Sequence, residues 1–473
     1  MEIIKSVTDL EAMRNLSIEG LLLPILIQLI IIIVCARVFA GLFRKIGQPQ
    51  VVGEIFAGVI LGPSLFGMLF PSLFQSIFHP ILPNIAAGWS QELLRRIFDV
   101  LAQIGLIFLL FLIGLEFDFT KLKQDGRSAL SISLCGILVP FISGVALGYL
   151  IFPMVNSEAN PIKNQLGFSL FLGVALSITA IPILGRIMME LNITRTRIGV
   201  ITITSAAIDD AAGWILLATV GVAVKTGFDW VMTGWMLMLT ILFGAMMIFV
   251  VRPFLVRYLT SALAKNAGNI NMVTLTVIIV LLLLSAIATN LIGIFAIFGA
   301  FIFGAILSDQ KEFRTAIRKQ LQDMVTVFFL PIFFTNTGLR TEIGSLESTL
   351  LWGIALLIIA VSFLGKFGGC SIAAYWSGFS RKESMIIGVM MNTRALMELI
   401  VINVGYDLGV IPKSIFCMLV IMALLSTIVT GPLVHFLKKG TELEPFINNN
   451  PNSSSNSLPE LEQNSSEPIL SNK

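Results

Sequence analysis

Long apolar runs, separated by short polar clusters, recur along almost the whole chain. A helix rising 1.5 Å per residue needs about 20 such residues to cross a hydrocarbon core. By that measure the pattern predicts about thirteen transmembrane helices. They lie near 20–42, 51–69, 97–117, 128–152, 167–189, 197–220, 230–251, 270–289, 291–307, 321–338, 349–376, 384–405 and 414–437. The second and ninth are short, and the eighth and ninth meet at Asn290, so twelve and fourteen are the neighbouring counts. Basic residues give an independent reading. Connections after odd-numbered runs carry Arg44 and Lys45, Lys121, Lys123 and Arg127, Arg195 and Arg197, and Arg252, Arg257 and Lys265. The same series continues with Lys311, Arg314, Arg318 and Lys319, then Arg381 and Lys382, then Lys438 and Lys439. The other connections and the N-terminus carry only Lys5, Arg14, Arg95, Arg96, Lys163, Lys225, Arg340 and Lys413. Positive charge stays cytoplasmic, so the alternation favours thirteen runs, an outside N-terminus and a cytoplasmic C-terminus.

Two runs are interrupted. The fifth, LGVALSITAIPILGRI, holds Thr179 and Pro182 in its middle, and proline removes a backbone donor and clashes with the preceding turn. The twelfth, GVMMNTRALMELIV, places Asn392, Thr393 and Arg394 at mid-depth. These are corresponding positions if 20–220 is one repeat, 230–251 a linker helix and 270–437 a second repeat within a transport domain spanning 20–437. A six-helix unit repeated seven helices later runs the opposite way through the bilayer. Matched broken helices in such inverted repeats mark a transport site.

Composition fixes the solvent. Of 473 residues, 56% are hydrophobic and 12% charged, and the mean hydropathy is +0.92. An ordinary soluble domain carries about 25% charged residues, so lipid surrounds most of this chain. A net charge of +3, scattered along the sequence, gives no nucleic-acid partner. Cys35, Cys135, Cys370 and Cys417 lie in apolar runs without metal-ligand spacing and read as small buried hydrophobes. That His79 and His435 are the chain's two histidines argues against histidine catalysis and a histidine metal site, and no cofactor is expected. Residues 1–19, with Glu2, Asp9 and Glu11, read as an extracytoplasmic interfacial segment rather than a signal peptide. Residues 438–473, rich in Asn, Ser, Pro and Glu from about Glu442, are expected to form a disordered cytoplasmic tail, too short for a nucleotide-binding domain.

Against this apolar background the buried charges stand out. Asp209 and Asp210 sit halfway along the sixth run, in ITSAAIDDAAGWILL. Each costs about 2.5–3.5 kcal/mol at the bilayer centre. Helical neighbours point about 100° apart, so one carboxylate can face a water-filled cavity while the other reaches a partner. Lys366, between glycines in SFLGKFGGC, is the available counter-charge; it either holds an ion pair or carries a proton of its own. Arg394 and Glu398 lie four apart and read as an ion pair beside the helix break. Glu54, nearer an interface, is open between a structural and a pathway role. Ser177, Thr179 and Ser205 offer hydroxyls to a hard cation, although membrane Ser and Thr commonly bond their own helix. Thr179, at the break, is the strongest of the three. Broken helices also leave backbone dipoles ending at mid-membrane, which Arg394 and the carboxylates can offset.

A carboxylate that binds a cation or a proton, but not both, turns alternating access into obligatory exchange. A channel would need a continuous polar pore, and an enzyme a His, Cys or Ser constellation; neither pattern is present. A sodium-coupled organic anion symporter of similar architecture is the more distant alternative.

The motifs GEIFAGVILGPS, FLIGLEFD, ALSITAIPILGRI, SAAIDDAAGWILLA, GKFGG and MNTRALMELIVINVGYDLGV, in this order, resemble the second branch of the monovalent cation:proton antiporter superfamily. The resemblance covers about residues 20–437, and NTRALMELIV is similar to plant cation/proton exchangers and their cyanobacterial relatives. It implies an all-α membrane fold with a dimerisation domain and a six-helix core in which two broken helices cross, and hence a homodimer. It implies that Asp210 binds the transported cation while Asp209 pairs with Lys366. It further implies exchange of sodium, or lithium, for protons, with potassium as the alternative cation. Electroneutral members and plant exchangers commonly have Asn where this chain has Asp209, which favours electrogenic sodium exchange. The implied location is a bacterial plasma membrane, with a thylakoid membrane as the alternative.

Overall fold

Every apolar run is mainly helical in the computed structural model, which describes residues 18–448 apart from 47, 49, 83–86, 117–125, 157–163, 192, 194–195, 228, 266–268 and 395. The helices are α1 (Ile18–Lys45), α2 (Gln50–Leu61), α3 (Ala87–Glu116), α4 (Gly126–Val155), α5a (Gln165–Ser177), α5b (Ile181–Glu190) and α6 (Arg197–Lys225). After α7 (Trp230–Met246) come α8 (Met272–Ile292), α9 (Ala296–Ala305), α10 (Lys311–Met324) and α11 (Thr349–Trp376). The series closes with α12a (Arg381–Met391), α12b (Leu396–Asp407), α13 (Lys413–Leu437) and α14 (Glu444–Asn448). Single π-helical turns carry α7 on to Lys265, beyond the predicted linker, and α10 on to Leu339. Local chemistry sets several starts. Asn164 caps α5a, Thr196 caps α6, Ser348 caps α11, and Ser380 with Glu383 forms a capping box on α12a.

Among the described residues, nine helical segments are long and apolar enough to cross a membrane, α2 counting as one with the short helix that carries it past a turn to Leu69. The remaining four of the thirteen predicted segments depart from that form for visible reasons. The fifth and twelfth are split, α9 has only 10 residues, and the first half of α10 is amphipathic, burying Phe313, Ile317 and Leu321 while its charged residues stay outside.

The helices pack in two groups. One joins α4, α5a, α5b, α6, α11, α12a, α12b and α13; the other joins α1, α2, α3, α8, α9 and α10. Close approach is built with glycine: a Cβ at Gly144 of α4 would lie 2.8 Å from Gly173 Cα of α5a. Matching α1–α6 in order with α8–α13 carries observed pairs on to observed pairs. The α1–α2 contact maps on to α8–α9, α2–α10 on to α9–α3, and α4–α5a on to α11–α12a.

Both interruptions are real breaks. Residues 178–180 leave the helix between α5a and α5b, one turn earlier than a break at Pro182 itself. Pro182 falls in the first turn of α5b, where a missing N–H leaves no bond unmade. Between α12a and α12b the chain opens after Met391, and the two breaks meet where Ala180 N donates to Thr393 O at 3.0 Å.

The C-terminal segment corrects one expectation. The chain stays on the bundle as far as Asn448 instead of becoming disordered after Leu437. Leu443 and Ile447, four apart, are buried in a cluster with Ile198, Ile386 and Val434. Glu442 Oε1 accepts from Ile198 N at 2.7 Å, at the free N-terminus of α6. Two apolar residues and one cap are too sparse a signal to stand out from a polar composition. The expectations for residues 1–17 and for 449–473 lie outside the described residues.

Candidate cation and proton site

The middle of α6 sets two carboxylates in different surroundings. Asp209 and Asp210 are both fully buried. Asp209 Oδ2 meets Lys366 Nζ of α11 at 2.6 Å, and that lysine also donates to the Ser177 carbonyl at the end of α5a. Asp210 takes the other direction. Neither of its oxygens has a hydrogen-bond partner among the described residues, and Trp214 lies one turn further along the same helix face. The Trp214 ring packs on Phe298 at 5.5 Å and Phe301 at 5.7 Å, both of α9 in the other helix group. Residues four apart share a helix face. Asp210 therefore faces the boundary between the groups, while Asp209 faces the interior of its own.

The breaks supply the rest of the site. A helix ends with carbonyls that lack intrahelical donors, and those of α5a are met by cations. Arg394 Nη1 donates to Ala175 O at 2.8 Å, Arg394 Nη2 to Leu176 O at 2.7 Å, and Lys366 Nζ to Ser177 O. These are full charges placed at the negative end of a half-helix dipole. The end of α12a is met by hydroxyls: Thr179 Oγ1 donates to Met391 O at 2.8 Å and Thr393 Oγ1 to Met390 O at 2.7 Å. Glu398 stands 3.5 Å from Arg394 Nη1, an ion pair without a hydrogen bond, and both side chains are fully buried.

The structure brings most of the sequence candidates together. Asp209, Asp210, Lys366, Thr179, Ser177, Asn392, Arg394 and Glu398 all lie at or beside the crossing. Ser177 Oγ donates to Val174 O at 2.8 Å, so it bonds its own helix. Ser205, one turn before Asp209, and the amide of Asn392 are buried without side-chain hydrogen-bond partners among the described residues. Glu54 is not part of the site. It lies in the other helix group, 3.5 Å from Arg37, which also donates to the Thr326 carbonyl. Sequence reasoning missed Trp214 and the Ser177 carbonyl. Trp214 was legible as the residue one turn after Asp210; the carbonyl has no signature in the sequence.

Crossed half-helices with buried carboxylates, set between two packed helix groups, are the machinery of a secondary-active membrane carrier. The model of the family described as "Sodium/hydrogen exchanger, transmembrane" matches residues 30–440. The chain is 39% identical over 418 residues to the Na(+)/H(+) antiporter NhaS4 of Synechocystis, a match covering 87% of this chain and 97% of that one. It is 35% identical to Cation/H(+) antiporter 17 of Arabidopsis thaliana across 87% of its own length, spanning 48% of that relative. The solved sodium proton antiporter MjNhaP1 of Methanocaldococcus jannaschii shares the fold, with a TM-score of 0.54 at 16% identity, over 88% of this chain and 98% of that one. The chain belongs to the sodium/hydrogen exchanger family of the monovalent cation:proton antiporter superfamily, and it is a multi-pass membrane transporter rather than an enzyme.

Proposed function

We propose that this antiporter exchanges sodium, with lithium as a second accepted cation, for protons, and that each cycle moves net charge. The observation that carries the reading is the separation of roles on α6: Asp209 is neutralised by Lys366, and Asp210 is left unpartnered at the boundary between the helix groups. Asp210 is the carboxylate for which cation and proton compete, with Thr179, Ser205 and Asn392 as neighbouring oxygen donors. Cation binding draws on Asp209 as well and frees Lys366 to unload its proton. Two protons then return per cation. One elementary charge is worth about 2.3 kcal/mol per 100 mV, so the membrane potential assists extrusion. Arg394, Glu398 and Asn392 support the helix breaks.

The inverted-repeat reading, with repeats at about 20–220 and 270–437, is supported by helix pairs that map on to one another. The basic-residue pattern supports an outside N-terminus and a cytoplasmic C-terminus in a bacterial plasma membrane or thylakoid membrane. We further propose a homodimer formed through the group that holds α1, α2 and α3. Potassium is the second reading, because NTRALMELIV resembles plant exchangers and the Arabidopsis relative is named only for a cation. Acid-quench fluorescence in everted vesicles, titrated with each cation, tests the choice. Sodium and lithium should release the quench at lower concentration than potassium, and the reverse order would replace sodium with potassium.

A further inference from the structure

A carrier that exposes one carboxylate to two sides must move its two helix groups against each other. Contacts within a group can persist through the cycle, but contacts across the boundary must break. One cluster joins the groups by charge. Arg340, the residue after the α10 helix, exposes only 10% of its side chain. Its own group holds it first: Nη2 meets Asp99 Oδ1 of α3 at 2.6 Å, and Asn336 of α10 donates to the same oxygen at 2.8 Å. From there Nη1 crosses the boundary to Asp407 Oδ1 at 2.9 Å and Asn403 Oδ1 at 3.1 Å, both on α12b. Asn403 Nδ2 returns a bond to Thr337 Oγ1 of α10 at 2.9 Å.

The placement matters as much as the contacts. Helix α12b starts at the crossing, with Glu398 in its first turn, and ends at Asp407, about 14 Å away at 1.5 Å per residue. A rearrangement at the break is carried by one rigid helix to the cluster. At the same end Lys413 reaches Glu342 at 4.0 Å across the boundary. At the opposite end Gln48 makes a longer amide contact, 3.4 Å to Ile428 O. Among the described residues, the charged pairs between the α10 and α12b groups thus gather at one end of the molecule.

We propose that Arg340, prepositioned by Asp99 and Asn336, is a latch that closes the carrier at the α10–α12b end by gripping Asp407 and Asn403, and that it opens whenever Asp210 faces that side. In the orientation proposed above, that end is extracytoplasmic. The latch rests on the exchange reading, so its test separates the two. Thr337→Cys with Asn403→Cys places two thiols at the boundary in the full-length carrier, reconstituted in liposomes, with each single variant as a control. The reduced pair gives up the Asn403 grip but keeps Asp407, so it should still exchange cations for protons at a measurable rate. Oxidation should cross-link it and stop exchange, and reductant should restore it. A reduced pair that is inactive beside an active unsubstituted carrier would overturn the latch. Absence of exchange from the reduced pair and from the unsubstituted carrier alike would overturn the exchange reading. Undiminished exchange by the cross-linked carrier would overturn the latch. A readout independent of transport is the cross-linking rate itself. Asp407→Asn leaves Arg340 bound to Asp99 but loosens the boundary, and should slow cross-linking about fivefold; an unchanged rate, or a pair that never cross-links, would also overturn the latch.

Discussion

Arg394 Nη2 donates to the carbonyl of Leu176 at 2.7 Å, so the break in one half-helix is held by a cation from the other. The i,i+4 spacing points to Glu398 as its partner, yet that contact is a 3.5 Å ion pair and the hydrogen bonds go to Ala175 and Leu176. Arg394 therefore serves the dipole of α5a first. Removing it would orphan two buried carbonyls and leave Glu398 buried without its nearest cation.

Arg394→Gln should accordingly destabilise the folded carrier by about 3–5 kcal/mol, the cost of breaking a buried charge pair. Arg394→Lys should recover part of the loss, since one ammonium cannot reproduce the two-pronged contact. Thermal unfolding of the detergent-solubilised protein measures both. Equal stability of Arg394→Gln and the unsubstituted chain would mean that the α5a carbonyls need no cation.

Lys366→Gln should leave cation/proton exchange measurable but make it electroneutral. The lysine is buried against Asp209 and the Ser177 carbonyl, so a merely structural role would lower thermal stability and leave potential dependence untouched. Turnover in proteoliposomes, with and without an imposed membrane potential, distinguishes the two. Potential-dependent exchange that persists in Lys366→Gln would rule out the lysine as a proton carrier.

Much of this site was legible in the sequence because its parts violate the local pattern. Two acids in an apolar helix, a lysine between glycines, and Thr179 and Asn392 inside apolar runs each stand out against lipid-facing neighbours. Their pairings were legible less evenly. Asp209 with Lys366 follows from charge balance, since each alone would be an uncompensated charge in low dielectric. Arg394 with Ala175 and Leu176 does not, because a backbone carbonyl is the same at every position and its freedom depends on where the helix ends. Glu54 stayed open between a structural and a pathway role for a similar reason: Arg37, which faces it, lies on a different helix. The docked segment from Lys438 to Asn448 was hidden by its polar composition. Its anchors include the side chains of Leu443, Ile447 and Glu442 and the carbonyl of Lys439, which accepts from Lys382 Nζ at 2.7 Å.

Competition for one carboxylate predicts a pH dependence with a fixed sign. Protonation removes the negative site, so lowering the pH should raise the apparent KM for the cation, and raising it should lower KM until the site is fully deprotonated. On the acidic side the change should be about tenfold per pH unit for a single shared proton. Initial exchange rates over a grid of pH and sodium concentration measure the slope. A KM independent of pH would place cation and proton on separate groups.

The most direct test of the central claim is cation/proton exchange by Asp210→Asn in proteoliposomes, with folding checked by thermal unfolding. Asp210 is fully buried, faces the boundary between the helix groups and has no hydrogen-bond partner to lose among the described residues. The variant should therefore fold as well as the unsubstituted chain and exchange neither sodium, lithium nor potassium for protons. Exchange at a near-normal rate would show that cation and proton compete for some other group.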